Sequence, residues 1–380
     1  MADSIQKHFA DLPDPRRARG RRHRLSDMIV IAVTAVICCA DGWADVADFG
    51  NAKRKWFETF LDLPHGIPCA DTFERVFSRL DPDAFERCFM DWTKSLAGSS
   101  EGKLVALDGK KIRRSFAHAW EHNTAAHLVS AFVADNRTVL GQLAVDCKEN
   151  EIVAIPKLLD LLDLSGATVT IDAMGCQAEI ARKITENGGD YVLCVKGNQP
   201  TLHGRIERNV KDLMLEGFGG VRHGRHQTVD GDHGRIETRD VWVTDELDWL
   251  GEEQDRWPGL KSIAVVESTR DIPTRDIPTR GQSVERRYYI SSHGGVDAAA
   301  MADRIRGHWS VENNLHWVLD VGFDEDQARH RKGHSAQNFS RLRRIALNLL
   351  NREKTKNRGV KGKRLNAAWD HDYLLKLLAG

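Results

Sequence analysis

The chain has 380 residues, 41% hydrophobic and 29% charged, with 55 Lys and Arg balanced by 55 Asp and Glu. That length allows one large or two to three ordinary domains, and the composition excludes a disordered or fibrous chain. A formal net charge of zero would argue against a nucleic-acid partner, but the charge is unevenly spread. From Arg329 to Arg364 thirteen Lys or Arg face one acid, Glu353, a balance of +12; Met1 to Leu25 carries +4, so the remainder totals −16. Two basic ends on an acidic body fit DNA contact through defined patches, with plain solvated charge as the alternative. Seven cysteines, an odd number without framework spacing, point to reduced thiols in a cytoplasmic protein.

Residues 1–95 read as a helical amino-terminal region. The run PDPRRARGRRHR is a basic arm, expected to be disordered. Met28 to Ala40 is apolar but, at 13 residues, short for a membrane span, so it is expected to be a buried helix with Ser26 or Asp27 as N-cap. WADVADFGNAKRKWFETFLDL and DTFERVFSRLDPDAFERCFMDWTKSL have helical spacing, separated by a break at Pro64 to Pro68. The region serves either as a DNA-binding accessory or as a helical cap on the next domain.

Residues 96–350 read as an α/β domain. Strands are predicted near Leu104–Asp108, His127–Ala134, Val139–Cys147, Thr168–Asp172 and Tyr191–Lys196, with helices near Ile155–Leu162 and Gln177–Asn187. Three strands followed by alternating helix and strand suit a mixed sheet flanked by helices. From about 217 to 292 a β-rich insertion interrupts this alternation, and DIPTR occurs twice in tandem, at 271–275 and 276–280, in an expected hairpin loop. Beyond Ala298 the chain turns helical. Arg341, Arg343 and Arg344 precede ALNLL on an amphipathic helix, and residues 351–380 read as a mobile basic tail.

RGHWSVENNLHWVLDVGFDED, at 306–326, holds Glu312 between His308 and His316, four residues apart on each side. An α-helix would put the three on one face beside an apolar stripe of Trp309, Leu315 and Leu319, and a carboxylate so enclosed needs a cation or a proton. Asp108 and Asp172 each end an apolar strand, where α/β folds place their chemistry. Three carboxylates suit a hard cation such as Mg²⁺ or Mn²⁺, and two such ions can clamp an in-line phosphoryl displacement. Asp320, Glu325 and Asp326 rival Glu312 as third ligand. A zinc site on His308, Glu312 and His316 is disfavoured, because no HExxH motif or nearby cysteine supports it. Lys110, Lys111, Arg113 and Arg114 follow the first aspartate, and Lys196 and Asn198 end the fifth strand, so both groups are placed to meet phosphates. Trp309 and Trp317 are expected in the core, and no P-loop indicates a nucleotide cofactor.

LDGKKIRRS, HLVSAFVAD, EIVAIPKLLDLLDLSGATVTIDAMGCQ, GGDYVLCVKGNQPTL, HGRIETR, RRYYISS, the 306–326 stretch and LRRIALNLLNREK occur in this order along the chain. With them the sequence resembles bacterial insertion-sequence transposases of the DDE class, in the branch with the H-repeat-associated proteins. The resemblance implies a ribonuclease-H-like fold with Asp108, Asp172 and Glu312 as catalytic and metal-binding residues, using two Mg²⁺ or Mn²⁺ ions. It implies water-mediated cleavage at the ends of a mobile element and attack of the freed 3′-hydroxyl on target DNA. The partners are then double-stranded DNA and a second copy of the chain, at the bacterial nucleoid and with no membrane. Lys110, Lys111, Arg113, Lys196, Asn198, His308, His316, Arg341, Arg343 and Arg344 are the expected DNA contacts. In hairpin-forming relatives an arginine lies four residues before the glutamate and a lysine seven after; here those places hold His308 and Leu319, so the excision route stays open. A catalytically inactive, transposase-derived DNA-binding protein is the alternative function, slightly favoured by the DIPTR duplication.

Overall fold

LSDMIVIAVTAVI carries no exposed side chain between Met28 and Ile37, and a helix apolar on every face must be buried on every face. The computed structural model describes residues 3–116, 125–145, 150–232, 235–272 and 281–379. It divides into two compact units, one of Met1–Ser99, Asp108–Ala154 and Val311–Gly380, the other of Ser100–Leu107 and Ile155–Ser310. The chain passes between them after Ser99, inside one strand, inside one helix and after Ser310.

The first unit opens with α1 (Asp3–His8) and the buried helix, α2 (Leu25–Ile37). Neither Ser26 nor Asp27 is the N-cap of α2: the helix starts one residue before Ser26, and Asp27 is buried in its first turn, accepting from Gln6 Nε2 at 3.2 Å. The basic arm before it is not disordered. Arg16 Nη2 lies 2.7 Å from Asp14 Oδ2 and donates to the His23 carbonyl, also at 2.7 Å. Next come α3 (Trp43–Ala52), α4 (Arg54–Phe57), α5 (Ala70–Phe77) and α6 (Pro82–Ala97). At α6, Asp81 accepts the Asp83 N–H at 3.0 Å and Pro82 supplies the preset φ of a first turn.

β1 (Leu104–Lys111) is divided between the units after Leu107. In the first unit it neighbours β2 (His127–Val133), which pairs antiparallel with β3 (Thr138–Val145). α7 (Glu151–Leu159) follows and is likewise divided, after Ala154. In the second unit β1 pairs parallel with β4 (Thr168–Ile171), and β4, followed by α8 (Ala178–Glu186), pairs parallel with β5 (Asp190–Val195). α9 (Pro200–Leu215) lies where no element is predicted, although Leu202, Ile206, Val210 and Leu213 bury one helical face behind a first-turn proline. The insertion is a four-stranded antiparallel sheet of β6 (His223–Asp232), β7 (Arg235–Thr244), β8 (Ser262–Ile272) and β9 (Gly281–Ser291), with a short α10 (Glu252–Asp255) after β7. β9 pairs antiparallel with β5 and so joins the insertion to the parallel strands. The polar strand β6 also escapes sequence reasoning, since HGRHQTVDGD lacks an apolar alternation. The first DIPTR copy begins at the last two residues of β8, and residues 273–280, with the rest of it and all of the second copy, lie outside the described residues. The fold is of the mixed α/β class, with parallel and antiparallel strands.

α11 (Ala298–His308) closes the second unit. In the first unit a π turn (Glu312–His316) leads into α12 (Trp317–Phe323), followed by α13 (Ser335–Arg352), α14 (Val360–Trp369) and α15 (His371–Ala379). The carboxy-terminal region is therefore folded helix rather than a mobile tail. Arg364 on α14 donates from Nη2 to the Val36 carbonyl at 2.8 Å, beside the Cys39 N–H that the same carbonyl accepts at 3.3 Å, and stacks 4.2 Å over the Phe323 ring. Among the described residues no helix is long and apolar enough to cross a membrane.

Candidate active site

In the second unit Leu104 to Leu107 of β1 stand opposite Thr168 to Ile171 of β4, partner to partner. Asp108 and Asp172 are thus each the next residue after the last matched pair, Leu107 and Ile171, on parallel neighbouring strands. The Asp172 side chain is exposed, and its Oδ1 accepts the N–H groups of Met174 at 3.0 Å and Gly175 at 3.4 Å, the turn-capping habit of a strand-end aspartate. Thr170, two residues earlier, is buried, with its hydroxyl 3.1 Å from His308 Nδ1. His308 thus anchors the end of α11 on β4. Gly307 allows this approach, because a Cβ there would stand 2.1 Å from Leu104 Cδ2. Asn198 Nδ2 donates to the Ala173 carbonyl at 2.6 Å and ties the loop after β5 to the loop after β4, and Lys196 is exposed beside it. Arg287 lies 5.1 Å over the Trp309 ring, which is 41% exposed and not a core residue.

In the first unit Asp108 is half-buried, its Oδ1 accepting the Gly109 N–H at 2.9 Å and its Oδ2 3.3 Å from His316 Nδ1. His316 ends the π turn that Glu312 begins, in which the Trp317 N–H donates to the Glu312 carbonyl. Within this turn Glu312 is exposed while His316 is half-buried, so the two do not share one environment. Glu312 is exposed, not enclosed, while Val311, Leu315, Leu319 and Phe323 turn into the core. Trp317 is exposed as well.

The rivals for the third carboxylate are engaged elsewhere. Lys110 Nζ lies 2.6 Å from both carboxylate oxygens of Asp320 and 3.5 Å from Asp326 Oδ1, and Arg113 Nε lies 3.1 Å from Asp326 Oδ2. Glu325 is fully buried, accepting from Ser340 Oγ at 2.7 Å and from Arg344 Nη1 at 3.1 Å. Burial would push its carboxyl up, but the guanidiniums of Arg344 and Arg343 outweigh this and hold it below the usual range.

Several expected DNA contacts are internal. Lys110 is buried in its ion pair. Arg341, Arg343 and Arg344 are all buried on α13: Arg341 Nε meets Glu86 Oε2 at 2.5 Å, Arg344 meets Glu325, and Arg343 stacks 4.6 Å over Phe339. Between Asn338 and Asn351 every residue of α13 is buried, so its arginines have no solvent face to occupy. Lys111 and Arg113 are exposed.

Sequence reasoning missed a second pair beside Asp108. His127 Nε2 lies 2.7 Å from Glu151 Oε1, and a Cβ at Gly109 would stand 2.0 Å from that same oxygen. The signal available was the glycine itself, directly after a candidate ligand. Among the described residues no group of three or more His, Cys, Asp and Glu side chains is gathered to hold an ion. As donor chemistry, the carboxylates of Asp108, Asp172 and Glu312 suit a hard divalent cation better than a soft one.

Residues 99–349 match the family model described as "Transposase DDE domain", and residues 6–93 match the one described as "DDE_Tnp_1-associated". The chain is 39% identical over 376 residues to the "H repeat-associated putative transposase YhhI" of Escherichia coli K12, covering 99% of this chain and 98% of that protein. It is 48% identical over 298 residues to a protein encoded in the dhlA 3′ region of Xanthobacter autotrophicus, covering 77% of this chain and 96% of that protein. A solved piggyBac transposase complex with hairpin DNA aligns at a TM-score of 0.40 and 10% identity, over 99% of this chain and 78% of that one, too distant to carry an argument. With the family model spanning most of its length and such a relative matching end to end, this chain belongs to the DDE-domain transposases.

Proposed function

We propose that the protein is an active DNA transposase that cuts at the ends of an insertion sequence and joins the freed 3′-hydroxyl to target DNA, with Asp108, Asp172 and Glu312 as its catalytic carboxylates. The observation that supports this most is the strand register, which makes Asp108 and Asp172 successors of the matched pair Leu107 and Ile171. Both aspartates follow the carboxyl end of the parallel pairing, where α/β folds bind ligands, although β1 itself runs on to Lys111. Glu312 is the third choice because Asp320, Glu325 and Asp326 already neutralise Lys110, Arg344 and Arg113.

The three carboxylates would hold Mg²⁺ or Mn²⁺, two ions in all, which when bound supply charge neutralisation at the attacking and leaving oxygens. His316 holds the Oδ2 side of Asp108, and the Gly109 N–H holds Oδ1, so the carboxylate is oriented from both sides. Exposed Lys111 and Lys196, and Arg113 when it leaves Asp326, would meet DNA phosphates. In the first displacement a water oxygen bonds to phosphorus and the 3′ oxygen leaves as a hydroxyl. In the second that hydroxyl oxygen bonds to a target phosphorus and displaces the target strand's own 3′ oxygen. Two copies of the chain on DNA would bring both element ends to one target.

The test is incubation of the purified chain with labelled element ends in Mn²⁺. Nicking at the element boundary and joined products are expected. Binding to the ends without nicking would replace this reading with that of an inactive, DNA-binding derivative, the outcome to which the DIPTR duplication points.

A further inference from the structure

Lys110 follows Asp108 by two residues, so both side chains leave β1 on one face. His316 and Asp320 are four residues apart, across the start of α12. The two pairs meet one to one: Asp108 Oδ2 lies 3.3 Å from His316 Nδ1, and Lys110 Nζ lies 2.6 Å from both oxygens of Asp320. Two strand residues advance roughly 6.6 Å. Four α-helical residues advance about 6 Å, so the rungs match in length. Strand and helix are zipped together by these two contacts.

The second rung has the character of a clamp. Lys110 is 8% exposed and has carboxylates of Asp320 and Asp326 around it, whereas a lysine that reads phosphate keeps its ammonium in solvent. Glu312 begins the π turn that runs without a break into α12. Whatever fixes Asp320 to β1 therefore fixes the backbone that carries Glu312.

We propose that Lys110 is a positioning residue, and that its ion pair with Asp320 holds the Glu312 turn at a set place beside Asp108 on β1. The catalytic consequence rests on the transposase reading; the clamp itself does not. Lys110 then acts on cutting without touching DNA, and the phosphate contacts of this strand end belong to Lys111 and Arg113.

The full-length chain tests this with Lys110→Met and, as a milder change, Asp320→Asn. Hydrogen–deuterium exchange should rise in residues 312–323 in both variants, with other helices unchanged. Single-turnover cutting should fall about 10- to 100-fold, as misplaced catalytic groups do. Affinity for element ends should change less than about twofold, because every group that meets phosphate is still in place. The reversed pair, Lys110→Asp with Asp320→Lys, should recover part of both losses. Unchanged exchange in residues 312–323, or a rise spread evenly over the chain, would overturn the clamp. A salt dependence of DNA binding that flattens by about 0.9 in Lys110→Met would also overturn it, by making Lys110 a phosphate ligand. If the unaltered chain cuts no DNA, the transposase reading fails by itself, and the exchange result alone supports or overturns the clamp.

Discussion

His316 Nδ1 lies 3.3 Å from Asp108 Oδ2, across 208 residues of chain. The contact joins the middle of β1, just past its pairing with β4, to the turn that carries Glu312, and both sides belong to the same compact unit. An imidazole in that place orients a carboxylate as outer partners of metal ligands do. Replacing it by His316→Ala should weaken Mn²⁺ binding about 10- to 100-fold, measured by titration calorimetry. An unchanged affinity would remove His316 from the site.

Asp172→Asn keeps the side chain's volume and its Oδ1 acceptor for the Met174 N–H, so the turn after β4 should survive. It removes a charged oxygen from a hard-cation site. Cutting in Mn²⁺ should fall by more than the roughly 100-fold that an outer partner costs, while binding to element ends persists. Equal cutting by the variant would show that Asp172 is not a catalytic ligand.

The carboxy-terminal basic residues divide by burial. Lys354, Arg358 and Lys361 are exposed, whereas Lys363 and Arg364 are buried. Replacing the exposed three by Gln should flatten the slope of log affinity against log salt by up to about 2.7, at roughly 0.9 for each phosphate no longer neutralised. Arg364→Met should leave the slope alone and lower the melting temperature, since it removes the buried hydrogen bond to the Val36 carbonyl and the stacking on Phe323.

Arg344 and Glu325 are both fully buried and joined at 3.1 Å. Arg344→Met strands the Glu325 carboxylate without its partner, a change that costs about 3–5 kcal/mol in such pairs. Urea unfolding of the variant checks this. A drop in stability below about 1 kcal/mol would mean that the pair is already solvated, as surface ion pairs are.

His330 stacks on Phe339 with ring centroids 3.9 Å apart and meets the Trp43 ring edge-on. This enclosure, with Arg343 nearby, pushes its imidazole from 6.5 down to about 3. The unfolded chain therefore takes up the proton first as pH falls, so this residue costs stability progressively between pH 6.5 and about 3. His330→Phe should be less acid-sensitive over that window in thermal melts. A parallel pH profile would refute the assignment.

The sequence alone determined much of this protein. Apolar runs ending at Leu107 and Ile171 marked two strands, because a strand buried on both faces must be apolar throughout. The same logic marked α2, and the order of motifs pointed to the family. It could not determine which way a charged side chain faces. Arg341, Arg343 and Arg344 look like a DNA-binding face until α13 packs, and Lys110 looks like a phosphate ligand until Asp320, 210 residues away, is beside it. Charge pattern is local, whereas burial and ion pairing depend on which distant segment arrives. The His127–Glu151 pair beside Gly109 was invisible for the same reason. So was the π turn at Glu312: it has no composition of its own, and whether a turn closes at i+4 or i+5 is decided by how the helix must pack.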